Sequence, residues 1–358
     1  MTENTSHSIN LFVNRNRGLL ISILALSVLP FIVGLMEGVS PAQVWINEGG
    51  TSKFVQGLAI EIFILALYAL SYDLIFGITG LLSFGHAMFF AVGAYLTGAL
   101  LKSFEMSLGL TLFWVFLAAI LNALLFGLVL PRVKGITFAL VTLGMASVFH
   151  IVIMSREMGD YTGADVGLQG VPVPDFLNPA TERLRFYFIA MAVMFLVYLV
   201  YQRFVASPTG RVCVAIRENE DRARMLGFNT FYFKLAALIL SSLTAAIAGA
   251  MHALYQPIVS PNSAGLAFTV VALLIILIGG VGTLNGALVG AVVYRLLDFG
   301  LRRYLGESAS FINGAIYVLI VLFLPFGIVG TIQARSSRWK EGWQRWMDLL
   351  RIKNKTIK

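Results

Sequence analysis

The sequence SPTGRVCVAIRENEDRARMLGFNTFYFK, Ser207–Lys234, lies between two long apolar segments, Phe186–Tyr201 and Phe233–Tyr255. Charged residues make up 12% of the whole chain, yet eight of them fall within this one stretch. Apolar runs of about 18 residues or more predict membrane-spanning helices, and several occur along the chain. The alternation of apolar and charged sequence therefore indicates a chain that crosses a membrane repeatedly, with this stretch as a loop.

The centre of the loop, Ala215–Gly227, is predicted to form a short helix. Glu220 and Arg224 fall at i,i+4, as do Arg217 and Asp221, a spacing that brings opposite charges together on a helix surface. A glycine at the end of this range gives a C-terminal stop. The helix has a small apolar side, made of Ile216, Ala223 and Leu226. Two interpretations stay open from these features alone: a helix that docks a soluble partner, or a solvated loop.

Composition restricts the class of protein. Hydrophobic residues make up 58% of the chain and its mean hydropathy is +0.84, well above the roughly 45–50% apolar content of soluble proteins. The single cysteine, Cys213, excludes a disulfide within the chain, and the four histidines lack the spacing of metal ligands. The net charge of +8 comes mostly from basic residues in the loops and the tail. Basic residues in these positions determine the orientation of the spans in the membrane, so no nucleic-acid partner is predicted.

The sequence predicts an all-α polytopic membrane protein with about ten transmembrane helices in a domain of residues 18–332. The predicted spans are Gly18–Met36, Phe54–Phe76, Ser83–Leu101, Leu108–Leu130, Gly135–Met154, Phe186–Tyr201, Phe233–Tyr255, Phe268–Ile278, Ala287–Leu297 and Ala309–Ile332. The glycine-rich turns leave the number open, because they could be re-entrant. A basic tail, 333–358, has tryptophans every three or four residues, which is typical of an amphipathic helix on a membrane surface.

The distribution of basic residues predicts the orientation. With the N-terminal segment 1–17 inside, the inner segments hold 17 Lys and Arg residues and the outer loops hold 7. The positive-inside rule then places both termini and Ser207–Lys234 in the cytoplasm, and the long loop Ser155–Arg185 outside. The expected location is the bacterial cytoplasmic (inner) membrane.

Five stretches, in order and with consistent spacing, resemble the branched-chain amino-acid ABC transporter permeases, and in particular their M-type subunit. They are the charged loop itself, GLLSFGHAMFFAVGAYLTGAL (Gly80–Leu100), YTGADVGLQGV (Tyr161–Val171), LIGGVGTLNGALVGA (Leu277–Ala291) and VLFLPFGIVG (Val321–Gly330). The similarity covers roughly residues 55–332. One departure is Ala164, which stands where the family's outer loop usually has a second glycine.

The resemblance implies a permease subunit, not an enzyme, that binds no cofactor itself. Its implied partners are a paralogous permease subunit, two ABC ATPase subunits that use ATP, and a periplasmic or lipid-anchored substrate-binding protein. The sequence agrees, because no G-x-x-x-x-G-K-[ST] nucleotide-binding loop occurs in it. Asp221-Arg222-Ala223-x-x-x-Gly227 keeps the acid, the second alanine and the glycine of the importers' ATPase-coupling pattern, with Arg222 replacing the first alanine.

Two groups of candidate functional residues follow. The ATPase-coupling loop is predicted to use Arg217, Glu218, Glu220, Asp221, Arg222, Ala223 and Gly227. A translocation path or hinge is assigned to Glu61, Gly80, Ser83, Gly85, His86, Gly282 and Gly286. A charged residue within a membrane span is costly and is therefore a candidate for a functional role. Two glycine-rich segments in corresponding positions indicate a transport site or a hinge. Close packing of the helices is the alternative explanation for these glycines.

Two acidic residues of the second span, Glu61 and Asp73, lie about 18 Å apart along a helix and therefore cannot act as a carboxylate pair. Glu61 is expected to face a pathway or to pair with a neighbouring helix, and Asp73 to cap the turn or meet water. For His86 a structural polar contact, for example with Asp73, is favoured over a metal or proton-relay role. Arg295 and Asp298, at i,i+3, are expected to neutralise each other.

Three functions are weighed. The first is an ABC importer permease for branched-chain or other hydrophobic amino acids, and a urea-type permease subunit with a similar loop and glycine pattern is its close alternative. An ion-coupled secondary transporter would instead depend on the intramembrane acidic residues. A membrane enzyme would need clustered His, Asp or Cys residues, which the sequence does not offer.

Overall fold

The computed structural model describes residues 17–46, 50–324 and 326–332, so the predicted tail and most of the N-terminal segment lie outside it. Its α-helices are α1 Arg17–Met36, α2 Pro41–Trp45, α3 Thr51–Tyr72, α4 Ala87–Lys102, α5 Leu108–Gly127, α6 Ile136–Met154, α7 Gly159–Thr162, α8 Arg183–Ala206, α9 Pro208–Glu218, α10 Glu220–Met225, α11 Thr230–Tyr255, α12 Leu266–Gly279, α13 Leu284–Leu305 and α14 Ala309–Phe323. A π-helix, Asp73–Ile78, extends α3. Short 3₁₀ turns are Arg156–Met158, Ala164–Val166, Asp175–Leu177, Pro261–Ala264 and Gly306–Ser308. Two short strands, β1 Leu168–Gln169 and β2 Ile258–Val259, pair antiparallel.

The prediction of a helical polytopic membrane protein is confirmed. Among the described residues, seven helices are long and apolar enough to cross a membrane. Three further apolar helices, Ala87–Lys102, Leu266–Gly279 and Phe311–Ile320, are shorter. Each of the ten predicted spans therefore contains a helix, and the count of ten complete crossings stays a prediction.

The chain divides into two units, each described by itself. The first comprises residues 1–60 and 174–192. Within it, the Ser52 hydroxyl donates to the Pro30 carbonyl of α1 (2.7 Å), and the Tyr187 hydroxyl donates to the Leu26 carbonyl (2.6 Å). These bonds join α1 to the beginnings of α3 and α8, which is how polar side chains commonly link apolar helices.

The second unit comprises residues 61–173 and 193–358, and its core is the contact between α4 and α11. Small residues allow the two backbones to approach closely, with Gly93 against Ala246 and Gly249 against Phe90. Two adjacent serines of α11 tie in the neighbouring helices. Ser241 donates to the Ser71 carbonyl of α3 (2.6 Å), and Ser242 donates to the Ala119 carbonyl of α5 (2.8 Å).

The third predicted span begins four residues later than predicted, at Ala87. After the π-helix the chain folds back along α3 without forming helix, so that the Tyr72 hydroxyl donates to the Ser83 carbonyl (3.1 Å). Ser83 and His86 are fully buried. The apolar sequence predicted a continuous span here, and it failed to show that largely buried, irregular backbone occupies residues 81–86.

The two short helices α4 and α12 meet at their N-terminal ends inside the second unit. The Ala87 backbone amide donates to the Thr269 hydroxyl (3.0 Å), and both residues are buried. The Phe268 ring stacks on Tyr68 of α3 with centroids 4.8 Å apart. Because α4 begins within the packed bundle, at the buried Ala87, it is shorter than a full span.

Two loops that the predicted membrane topology places on the outer side are in contact. Leu168 of the long loop pairs with Val259, and the Lys102 ammonium donates to the Gln169 carbonyl (2.7 Å). These contacts agree with the prediction that both loops lie on the outer side.

Candidate functional site

The charged stretch folds as two helices, α9 and α10, instead of the single helix predicted over Ala215–Gly227. The break is Asn219, whose backbone is extended (φ −163°) and whose side chain accepts from the Arg222 amide (2.9 Å). Asparagine is a strong N-cap residue, which explains why a new helix begins here. The predicted stop is confirmed: Gly227 has φ +89°, a conformation that glycine adopts without strain.

This break separates one of the two predicted charge pairs. Glu220 and Arg224 do form an ion pair (2.7 Å), as predicted. The Arg217–Asp221 pair was predicted wrongly, because the two residues lie on different helices. Asp221 instead pairs with Lys134 in the preceding connection (3.0 Å), which places two segments of the predicted cytoplasmic side together.

The apolar side predicted for the charged stretch is only partly buried. Ile216 and Ala223 are buried as predicted, but Leu226 is 72% exposed and its neighbour Met225 is 86% exposed. Phe228 and Tyr232 are exposed as well. We call Met225, Leu226, Phe228 and Tyr232 the α10 apolar patch. Large exposed apolar side chains rimmed by charge are typical of protein interaction sites.

Glu220 is the centre of a partly buried polar cluster on the same stretch. It accepts from Arg224 (2.7 Å), from the Thr230 hydroxyl (3.0 Å) and from the buried Lys234 ammonium (2.6 Å). Burial alone would raise the pKa of Glu220, but the hydrogen bond and charge of Lys234 outweigh it and hold this pKa below its ordinary value. The cluster fixes α10 against the beginning of α11.

Replacing Glu220 by glutamine is expected to lower the thermal stability of the protein in detergent at neutral pH, because Lys234 loses the carboxylate that compensates its buried charge. The depressed pKa means that the wild-type stabilisation is present above about pH 4.3 and is lost as pH falls below it. The variant should lack that part of the acid-induced loss. Asp221→Asn is the control, since its exposed side chain should leave the melting temperature at neutral pH nearly unchanged. Identical melting temperatures for wild type and Glu220→Gln would contradict this account.

A second cluster joins the charged stretch to both glycine-rich turns. The Arg217 guanidinium donates to the carbonyl of Gly77, in the π-helix that ends α3. Asp73, in the same π-helix, accepts from the backbone amide of Gly282 (2.7 Å), in the turn between α12 and α13. We call Arg217, Asp73, Gly77 and Gly282 the glycine junction.

The junction requires glycine at these turns. A Cβ at Gly77 would overlap the Asp73 carboxylate and would lie 2.5 Å from the Gly282 nitrogen. Gly282 has φ +76°, and a Cβ there would lie 2.5 Å from the Arg217 guanidinium. Asp73 is fully buried and its carboxylate binds the turn, so it does not meet water. A displacement of α9 can therefore be transmitted to the ends of α3, α12 and α13.

The structure brings some predicted path residues together and separates others. Gly80 and Gly282 both approach Arg217, and Gly286 packs on its own turn against Gly280. Gly85 instead packs against the Thr142 backbone of α6. Glu61 belongs to a third cluster, together with Arg295, Asp298 and Gln256.

The suggested pairing of His86 with Asp73 is wrong. The His86 Nε2 atom lies 2.8 Å from the Ser71 hydroxyl, and its ring stacks on Tyr68 with centroids 5.4 Å apart. The fold-back of residues 80–86 carries His86 past Asp73 to the level of Ser71. A structural polar contact, the favoured interpretation, is what the geometry provides.

Glu61 pairs with a neighbouring helix, one of the two alternatives that the sequence left. Its carboxylate binds Arg295 of α13 and accepts from the Gln256 amide (3.0 Å). Arg295 also pairs with Asp298 (3.0 Å), as predicted from their spacing. Asp298 accepts in addition from Arg302 (2.8 Å) and from Asn313 of α14 (3.2 Å).

Sequence reasoning missed the α10 apolar patch and the contact of Arg217 with Gly77. The adjacent Met225 and Leu226 carried a signal, because two large apolar residues follow one another at the end of a short charged helix. No signal in the sequence pointed to a contact between residues 140 positions apart. In the part of the chain that the structure describes, no cluster of His, Cys, Asp or Glu is arranged to hold a metal ion.

Comparisons with known proteins agree with this architecture. A family model described as "Branched-chain amino acid transport system / permease component" matches residues 54–325. The chain is 28% identical over 301 residues to the "High-affinity branched-chain amino acid transport system permease protein LivM" of Salmonella typhimurium, covering 76% of this chain and 69% of that protein. It is 26% identical over 286 residues to the LivH protein of the same organism, covering 74% and 91%.

A more distant relative comes from an archaeon. The "Probable branched-chain amino acid transport permease protein LivM" of Methanocaldococcus jannaschii is 24% identical over 308 residues, covering 74% of this chain and 89% of that protein. No solved structure matches the chain significantly. The resemblance to branched-chain amino-acid permeases of the M type is confirmed by these matches.

Proposed function

The chain belongs to the family of branched-chain amino acid transport system permease components, and from this premise we propose that it forms half of the membrane path of an ATP-driven ABC importer for branched-chain amino acids. The observation that carries the proposal is the glycine junction. A charged loop outside the apolar helices is bonded through Arg217 to the π-helix that ends α3. Asp73 of this π-helix is bonded in turn to the turn between α12 and α13. An ATPase bound to the loop needs such a connection in order to change the conformation of the membrane helices.

ATP binding is assigned to partner subunits, because no phosphate-binding loop occurs among these 358 residues. The α10 apolar patch is the proposed docking surface for an ATPase, with the exposed charges Arg222, Glu218 and Asp221 at its rim. A pocket of about 230 Å³ beside the patch, lined by Leu130, Phe228 and Phe231 among others, can receive a partner side chain. An apolar centre with a charged rim is the usual anatomy of such an interface.

The relatives support two further proposed partners. Permease proteins of both the LivM and the LivH kind resemble this chain, which supports a complex of two paralogous permease subunits. A substrate-binding protein would dock on the loops of the opposite side, around Ser155–Val173. The positive-inside distribution supports a cytoplasmic α9–α10 loop and a location in the inner membrane.

Replacing Met225 by aspartate is expected to abolish co-purification of the ATPase while the protein still inserts and folds. The reason is that a charge in the centre of an apolar interface must be desolvated without a partner, which costs several kcal/mol and weakens binding at least a hundredfold. The measurement is the amount of ATPase retained by the tagged complex in detergent. Val166→Asp, at an exposed apolar residue of the opposite loop, is the matched control and should retain the ATPase. If the Met225→Asp variant retains the ATPase fully, the α10 apolar patch is not the docking surface.

Transport itself is tested in vesicles that contain the complete complex and its binding protein. Uptake of radiolabelled leucine that requires internal ATP and persists without ion gradients is the expected result. Uptake of urea and not of leucine would assign the chain to the urea-type alternative. Uptake driven by a proton or sodium gradient without ATP would overturn the ABC assignment.

A further inference from the structure

The intramembrane charge cluster around Glu61 has an arrangement that the coupling of ATP to transport does not explain. Glu61 of α3 binds Arg295 of α13, and this contact joins the two helices. Glu61 lies about 15 Å along α3 from its first residue, and Arg295 about 16 Å along α13, at a rise of 1.5 Å per residue. Both charges are thus near the middle of helices long enough to span a membrane.

The ion pair of Glu61 and Arg295 is only partly buried within the unit. The side chains of Glu61 and Arg295 are 24% and 22% exposed, whereas that of Asp298 is 10% exposed. Charges facing lipid at this depth are costly, so charged residues in spans face a bundle interior or a water-filled path. The exposed edge of this pair must therefore face a path or the second permease subunit.

Each member of the pair has a second partner. Glu61 also accepts from Gln256 (3.0 Å), and Arg295 also pairs with Asp298 (3.0 Å). If the direct contact opens, neither charge is left without a hydrogen-bonding group. A purely structural bridge does not need this arrangement, but a pair that separates to admit a ligand does.

We propose that Glu61 and Arg295 form a binding site for a zwitterionic α-amino acid within the path, an inference that rests on the proposed transport function. The ligand's ammonium group would replace the guanidinium on Glu61, and its carboxylate would replace the carboxylate on Arg295. Its apolar side chain would lie against Val292, one turn before Arg295 and 40% exposed, and Leu65, one turn after Glu61. The site recognises the two charges that all α-amino acids share.

The test separates a ligand site from a structural bridge by exchanging the charges. The complete transporter, with ATPase, second permease and binding protein, is reconstituted with Glu61→Arg/Arg295→Glu/Asp298→Asn and assayed for leucine uptake. Asp298→Asn is included because Asp298 lies 3.0 Å from Arg295 and would repel a carboxylate placed there. A ligand site predicts at least a tenfold loss that the exchange does not rescue, because a leucine bound in the reversed direction presents its side chain to the wrong wall. A structural bridge predicts that the exchange restores uptake lost in Glu61→Arg alone, and that result would overturn the proposal.

A second variant covers the case in which the exchange does not fold. Glu61→Gln/Arg295→Gln replaces the ion pair by two amides that can still bond to each other and to their second partners. Loss of leucine uptake with an unchanged elution volume and full ATPase retention supports the site, whereas retained uptake overturns it. Arg302→Gln is the matched control, since Arg302 pairs with Asp298 outside the proposed site and its substitution should preserve uptake.

The proposed function is judged separately, on the wild-type complex. If wild-type vesicles take up leucine with ATP, the variants decide the site alone. If they do not, both the proposed transport function and the proposed site are contradicted.

Discussion

Replacing Gly249 by leucine is expected to eliminate the folded protein. A Cβ at this position would overlap the Phe90 carbonyl oxygen of α4 and would lie 2.8 Å from the Ala94 amide nitrogen. On the facing helix, a Cβ at Gly93 would overlap the Ala246 carbonyl. Since both obstacles are backbone atoms, the two helices would have to separate, and the close packing of α4 against α11 would be lost.

The measurement is the yield of monodisperse protein in detergent, with the melting temperature of whatever is recovered. Gly249→Ala should be recovered with a strongly lowered melting temperature, and Gly249→Leu should not be recovered. Gly144→Ala, in α6, is the matched control because nothing lies within 4 Å of its added Cβ. Equal yield and stability for the alanine variants at Gly249 and Gly144 would mean that the α4–α11 contact is not the core.

Replacing Arg217 by methionine is expected to uncouple ATP hydrolysis from uptake. Methionine keeps the apolar length of the side chain but removes the donor to the Gly77 carbonyl. A hydrogen bond from a charged group is worth about 1.5–3 kcal/mol, which corresponds to roughly 10–100-fold in the equilibrium that links the loop to the turns. Leucine transported per ATP hydrolysed should fall by about that factor, while the ATPase remains bound.

Arg211→Met on the same helix is the control for this experiment, because Arg211 is exposed and lies away from the junction. Its transport per ATP should equal that of the wild type. If Arg217→Met also keeps the wild-type ratio, the contact with Gly77 does not transmit movement. If it loses the ATPase altogether, Arg217 belongs to the docking surface and not to the junction.

The sequence predicted the helical membrane fold well, because apolar segments of span length are local features. It also located the two glycine-rich turns and the charged loop between α8 and α11. The α3–α4 connection was not predictable in the same way, since buried irregular backbone around Ser83 has the same apolar composition as a helix. Its position depends on bonds to Ser71 and Tyr72 that only the folded chain supplies.

The candidate site was predicted as separate parts and not as a whole. The N-cap role of Asn219 was available from its residue type, yet charge spacing favoured one continuous helix. The partners of Arg217, Asp73 and Glu61 lie 140, 209 and 234 residues away along the chain, so no local pattern could indicate them. What the sequence did indicate was that these charges needed partners, because they stand in or beside apolar helices.

The most direct test of the central claim is to purify the tagged chain from its native membrane in mild detergent and identify what accompanies it by mass spectrometry. The account predicts a stoichiometric complex with an ATPase that carries a G-x-x-x-x-G-K-[ST] loop and with a second permease subunit. It further predicts that this complex hydrolyses ATP. Recovery of the chain alone, in a form that transports amino acids after reconstitution, would contradict it.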